Sequence, residues 1–567
     1  MDNMRFVLVL SLVMIGYMMW ESWQIDYVHP KLDISTVELP TVKQGDELPL
    51  NTNSSTTAIN TSTDSSVPLS KVDSGKFIKV TTDVFALEID IQGGTIRNLD
   101  LVQYPEEKEN TVVTKLLNMI GITPDETNLT PIRLFNSDAE KLFLAQSGLI
   151  ASANSAAVPD HHQFFNAEKN EYTLAIGEDT LVVPLTWENA DGLKVTKTLT
   201  FNRNSYNIHL DQKIVNSSDA TWVGRQYSQL QRRPFADPKK NTFIRTYSGG
   251  VFYTEEDKYQ KVDFEDMAED NLKVATIGGW SGMIQHYFGA MLIPPAGQEN
   301  NFYTKELKDW RYVIGSYSPE VTVAPQTEIV LSSQLFVGPK IQPLMEEISP
   351  GLELTVDYGW LTFVGKYIYA GLNWFHGHVA NWGISILCVT FCIKLLFFPL
   401  SQASYRSMAR MRKIQPKLKE LKDQCADDKQ RFNTEMMSMY KKEKVNPLGG
   451  CLPIMVQIPV FIALYWVLIE TVELRQTPFL GWIEDLSAQD PFFVLPVLYG
   501  ITMKIQQSLN PPPIDPVQAR VMQMFPIMFT VFFLFFPSGL VLYWICNNTL
   551  SIIQQWYITK RITAQVD

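Results

Sequence analysis

The chain has 567 residues, 46% of them hydrophobic and 12% aromatic, with a formal net charge of −12. That charge argues against nucleic acid, and specific DNA in particular, as the main partner, because phosphate recognition needs a basic face. All five cysteines (Cys388, Cys392, Cys425, Cys451, Cys546) lie in the second half, so the first half folds without disulfides even in an oxidising compartment.

Phe6 to Trp20 is apolar and follows Arg5, with no small-x-small cleavage site after it. We read residues 1–23 as an uncleaved signal anchor, with Trp20 and Trp23 at the membrane interface; a cleaved signal peptide is the alternative. Residues 24–76 are a flexible linker; LNTNSSTTAINTSTDSSVPLS cannot bury a core.

From 77 to 340 the pattern has period two, as in VTTDVFALEIDIQGGTI, LKVTKTLTFN and YNIHLDQKIVN. Such alternation between turn residues predicts a large antiparallel β-sandwich, with Gly93-Gly94 as a turn. His161 and His162 are adjacent and should project to different sides of a strand, which argues against a shared metal. The segment has no nucleophile elbow, phosphate loop or ligand cluster. A sugar site and a spacer or interaction role both stay open.

Residues 341–380 are aromatic-rich, with Trp360, Phe363, Tyr367, Trp374 and Phe375, and predict an amphipathic helix lying at the membrane interface. A buried domain helix is the alternative. Apolar runs then predict transmembrane helices at 381–400, 448–471, 491–508, 521–536 and 540–558. The last two need the turn Pro537-Ser538-Gly539, since one 37-residue helix would extend about 55 Å against a core of about 30 Å. With the anchor this makes six spans, one plus a five-helix core.

Residues 401–447 are strongly basic, and positive-inside places them in the cytoplasm. Both termini are then cytoplasmic, the tail being 559–567, and the β domain faces outward, which in a Gram-negative cell means the periplasm. The basic loop reads as a helical hairpin, Gln402 to Gln424 and Asp428 to Glu443, with Asp427 or Asp428 as N-cap. Its Arg410, Arg412, Lys413 and Lys417 form a solvated face that could also dock ribosomal RNA or anionic lipid.

Lys394 is the single charge in WGISILCVTFCIKLLFFPL (382–400). An intramembrane charge points to function, although a lysine so near the helix end can also snorkel. The neighbouring spans favour function. Their outer halves are apolar apart from Ser385 and Thr530. Their inner halves hold Thr390 and Lys394; Gln457; Thr502, Lys504, Gln506 and Gln507; and Asn547, Asn548, Ser551, Gln554 and Gln555. This asymmetry predicts a hydrophilic groove of half depth, open to the cytoplasm and to lipid, with Pro453 and Pro459 bending one wall. A half-depth groove does not suit a channel, the repeats of a transporter are missing, and no His, Asp or Glu at that depth serves an enzyme.

The residues DYGWL (357–361), NWGISI (381–386), TFCIKLLFFPLS (390–401), EKVNPLGGCLPIMVQIPVFIALYWVL (443–468) and FPSGLVLYWICNN (536–548) resemble the Gram-negative YidC membrane insertases, kin of the mitochondrial and chloroplast insertases. MARMRKIQPKLKELK (408–422) and GGWSGMIQHYF (278–288) extend the resemblance to the hairpin and the β domain. It implies insertion of small inner-membrane proteins such as ATP synthase c subunits and phage coat proteins, alone or beside SecYEG and SecDF. The ribosome and the signal recognition pathway are further partners, membrane lipids surround the chain, and no cofactor is implied. The β domain is implied to be a β-supersandwich. The implied groove is Lys394, Thr390, Gln457, Asn547, Asn548, Ser551 and Trp544, with Met455, Pro459, Phe461 and Phe529 as substrate contacts. The groove cation of the family is commonly arginine, so Lys394 keeps the charge and loses the bidentate fork. Lys504 is not expected from the family. A structural assembly factor that holds partners through the β domain is the alternative function; it predicts loss of activity on deleting that domain.

Overall fold

The computed structural model describes residues 77–107, 130–234, 246–269, 271–425, 428–443, 452–510 and 516–564. The anchor and linker predicted before residue 77 lie outside the described residues, as does Cys451. The described residues form two compact units: 77–362 with 466–476, and 363–465 with 477–564.

The first unit is a β-sandwich. Its described strands make an 11-stranded and a 9-stranded sheet. In the smaller sheet Asn207–Asn216 pairs antiparallel with both Leu193–Asn202 and Thr327–Pro339. In the larger, Trp222–Arg232 pairs with Phe143–Ala151. Alternation places one side chain in two inward: Leu193, Val195, Lys197, Leu199 and Phe201 are all buried. Both sheets supply one core, in which Phe85, Phe135, Phe201, Trp280, Phe302 and Phe336 are fully enclosed. The Gly93-Gly94 turn has φ of +72° and +62°, and a Cβ on Gly93 would collide with the His161 backbone. The two histidines depart from expectation. They sit in a turn, not a strand, and their rings lie 4.1 Å apart. His161 is buried, its Nδ1 2.5 Å from the Tyr227 hydroxyl. Among the described residues no cluster of His, Cys, Asp or Glu could hold a metal.

The second unit is helical: α1 (Thr362–Val379), α2 (Trp382–Leu396), α3 (Phe398–Cys425), α4 (Lys429–Lys442), α5 (Leu452–Glu470, its last turn in the first unit), α6 (Val494–Leu509), α7 (Pro516–Phe533) and α8 (Ser538–Ala564). On α1, Ile368, Tyr369 and Leu372 are buried while Phe363, Tyr367 and Trp374 are exposed, which leaves an aromatic face uncovered. The Asn381 side chain caps α2 by accepting from Ile384 N at 3.0 Å. The predicted span 381–400 is broken: α2 stops at Leu396, and α3 leaves at 66°. Pro399 has no N–H to continue the ladder and fits the first turn of a new helix.

Helices α3 and α4 form a hairpin around Ile414 and Leu418, packed against Met411, Met436, Met439 and Tyr440. Asp428 is the N-cap of α4, accepting from Arg431 N at 2.9 Å. Helix α8 packs on α2, α3 and α6, and α6 also packs on α7. The turn before α8 ends at Pro537, with Ser538 and Gly539 already helical. Among the described residues no single helix is long and apolar enough to cross a membrane; α2 and α3 pass only as a bent pair. Apolar side chains are nonetheless exposed in rows, Val497, Ile501 and Ile505 on α6, and Met524, Ile527, Met528 and Val531 on α7. Exposed apolar area on this scale marks a surface made for a non-aqueous neighbour.

Candidate functional site

The site is built on a stripe of α8. Asn547, Ser551 and Gln555 recur every four residues, hence on one face, and all three are buried. Each meets a different element. Asn547 Oδ1 accepts from Gln457 Nε2 of α5. Ser551 Oγ accepts from Lys394 Nζ of α2 at 2.7 Å and donates to Asn547 O at 2.8 Å. Gln555 Nε2 donates to Leu509 O and Asn510 Oδ1 at the end of α6, both at 3.1 Å.

Lys394 is 7% exposed, so its ammonium has left bulk water. Its partner Ser551 is neutral, and among the described residues Lys394 makes no ion pair. A buried cation held by one hydroxyl retains most of its attraction for an anion, because nothing nearby cancels its charge. Ser551 can release it at the cost of a single hydrogen bond.

One turn before Asn547 the environment changes. Trp544 packs on Phe461 of α5 (4.7 Å between ring centroids), on Phe533 of α7 (6.0 Å) and on Tyr499 of α6 (6.0 Å). Tyr543 stacks on Phe461 at 6.2 Å. An aromatic cluster therefore closes the polar stripe at one end, in the order the helix sequence sets: Leu540–Trp544 apolar, Asn547–Gln555 polar.

Of the residues expected in the groove, Lys394, Gln457, Asn547 and Ser551 are joined in one hydrogen-bonded chain. Thr390 is buried, and its hydroxyl donates back to Ile386 O at 2.6 Å, outside that chain. Asn548 is half-buried, and Lys504 is exposed on α6. On α5, Pro459 and Phe461 are half-buried while Met455 is exposed; Phe529 stacks on Phe533 and meets Phe525 and Phe532 edge-on. Arg410, Arg412, Lys413 and Lys417 are all exposed, and Lys417 is paired with Glu443 at 2.8 Å. The link from Gln555 to Asn510 is not foreseen by the sequence. The four-residue spacing from Asn547 carries the signal for Gln555, but nothing in the sequence marks Asn510 as its partner.

Known proteins match this chain along both units. The family model for the YidC periplasmic domain matches residues 77–370, and that for the 60Kd inner membrane protein matches 374–565. A membrane protein insertase YidC of Methylococcus capsulatus is 52% identical over 99% of both chains, and one of Nitrosococcus oceani is 44% identical over the whole of both. A solved structure described as an active YidC insertase with its first transmembrane domain resolved is 18% identical, with a TM-score of 0.38, covering 86% of this chain and 93% of its own. Family models that together span both units, and relatives of this identity along their full length, mean that the chain belongs to the YidC membrane protein insertase family.

Proposed function

We propose that the chain is a membrane protein insertase and chaperone of the bacterial inner membrane, and that substrate segments pass along the α8 stripe with Lys394 drawing their acidic residues. The observation that carries this reading is a buried ammonium whose hydrogen-bond partner is the neutral Ser551 hydroxyl. At 4 Å an ion pair is worth about 1 kcal/mol in bulk water and about 4 kcal/mol at an effective dielectric near 20. A partly wet groove lies between these values, enough to attract a carboxylate and too little to trap it. With the β unit on the outer side, a potential positive outside favours outward movement of each negative charge by about 2.3 kcal/mol per 100 mV. The aromatic cluster around Trp544 keeps the far side of the groove dry. Nascent inner-membrane proteins are the substrates in this reading, delivered directly or beside SecYEG and SecDF.

The test is protease protection of a tail-tagged substrate whose tail charge is varied. Lys394→Arg keeps insertion, since charge suffices. Lys394→Ala slows acidic-tailed substrates by about tenfold, the equivalent of about 1.4 kcal/mol, and leaves neutral tails nearly unchanged. Lys394→Glu is worse still for acidic tails. Equal insertion by all forms across all tails would end the electrostatic reading.

A further inference from the structure

Helix α5 ends at a buried ion pair. Residues 466–476, comprising the last turn of α5 and the short segment after it, belong to the β unit. Glu470, the last residue of α5, is buried. A carboxylate at a helix C-terminus adds to the negative end of the helix dipole, and the last turn of α5 has no basic residue to offset it. The β unit supplies what the helix lacks. Lys340 Nζ lies 3.2 Å from Glu470 Oε2 and donates to Thr355 O at 3.2 Å. The pair is almost closed to solvent, at 3% and 8% side-chain exposure. His286 Nε2 bonds Ile469 O at 3.0 Å, satisfying one of the last helix carbonyls.

The turn after the helix is held as firmly. Val472 belongs to the main sandwich core. Arg475 donates to Pro105 O at 2.7 Å and Glu106 O at 3.0 Å, and Gln476 donates to Pro105 O at 3.0 Å. The seat for Glu470 is itself rigid. Lys340 directly follows the 13-residue strand Thr327–Pro339, and its own N–H donates to Tyr287 O at 2.9 Å. A simple structural pair could sit anywhere in a sandwich; this one grips the end of a helix that carries Gln457 13 residues earlier, about 20 Å along the axis.

We propose that Lys340 is a positioning residue for insertion: its ammonium is the fixed seat for Glu470 and holds the end of α5, the helix that carries Gln457 and Met455. The inference rests on α5 being a wall of the substrate path. Discrimination lies in the kind of variant. Removing one partner leaves a buried charge uncompensated, whereas replacing both with apolar side chains of similar volume removes the penalty and keeps the packing.

The experiment uses the full chain in its membrane, with Lys340→Met, Glu470→Leu and the double variant. Three quantities are read: accumulation, proteolysis of the 466–476 turn without substrate, and photocrosslinking of a stalled acidic-tailed chain from probes at Met455 and Ile458. Each single variant should open the turn to protease, change the ratio of the two crosslinks and lower insertion by about tenfold, while the double variant returns to within about threefold of the parent. Where the single variants do not accumulate, Lys340→Arg serves instead. It keeps the charge on a longer arm, and a changed crosslink ratio supports positioning. Parental insertion and crosslinks in the variants that accumulate overturn the proposal, as does a double variant no better than the worse single. The proteolysis coupling is read without substrate, so it survives failure of the groove reading and separates the two.

Discussion

Lys197 carries a charge into the middle of the sandwich. Its ammonium donates to Gly93 O (2.6 Å), Ser147 O (2.7 Å) and Ser147 Oγ (3.0 Å), so a residue of the smaller sheet ties together a turn and a strand of the larger. Burial pushes its pKa down to about 7, against a smaller upward pull from Asp160. An unfolded lysine holds its proton to about pH 10.4. Below pH 7 both states are protonated and the burial cost is felt in full. Between about 7 and 10 only the unfolded chain is protonated, so β-unit stability should rise with pH by about 1.4 kcal/mol per unit. Lys197→Met should remove that slope. Denaturant unfolding followed by the buried Trp222 and Trp280 measures it, and a level parent curve over this range would mean that the three oxygens hold the proton. Alternation already assigns Lys197 to the inward face beside Val195 and Leu199. Its acceptors could not be read, because they come from 104 and 50 positions away.

Among the elements, α6 depends on a residue outside it. Its N-cap residue Phe493, just before Val494, has φ of +56°, a strained conformation for a bulky side chain. The buried Asp490 carboxylate compensates, accepting from Phe492 N (3.0 Å), Leu495 N (2.6 Å) and Trp482 Nε1 (2.9 Å). Asp490→Ala leaves three donors without this acceptor and should destabilise the helical unit by about 2–3 kcal/mol, more than a solvent-facing cap. Asp490→Asn keeps one carbonyl oxygen and should cost less. Thermal aggregation of the purified chain in detergent ranks the three, and Ala behaving like the parent would contradict the capping argument. The break between α2 and α3 is signalled in the sequence by Pro399, but the apolar run continues through it and masks the signal. The cap at Asp428 is legible from type and position alone, since capping depends on neighbours in sequence.

At the scale of the whole molecule, orientation is the claim most open to measurement. The positive-inside reading puts the α3–α4 hairpin in the cytoplasm and the β unit outside. Cys425 is a poor reporter, since it is 5% exposed and reagents would miss it on either side. Met437 of α4 and Ile176 of the β unit are exposed and suit the purpose. In a background without the native cysteines, a membrane-impermeant maleimide added to cells with a permeabilised outer membrane should label Ile176→Cys. It should spare Met437→Cys until the inner membrane is opened. The reverse pattern would invert the topology.

Sequence alone determined what depends on short-range periodicity and on residue type. The strands, the helix runs, the basic hairpin and the buried lysine among apolar neighbours all come from patterns a few residues long. It also placed Gln457, Asn547 and Ser551 with Lys394, because polar groups in apolar helices have few acceptable surroundings. Tertiary structure decided which oxygen meets which donor. Lys394 meets Ser551, Gln555 meets Asn510, and Lys340 meets Glu470 at a separation of 130 residues. Local spacing carries no information about these pairs: each forms only when two distant elements pack, and the packing selects the partner.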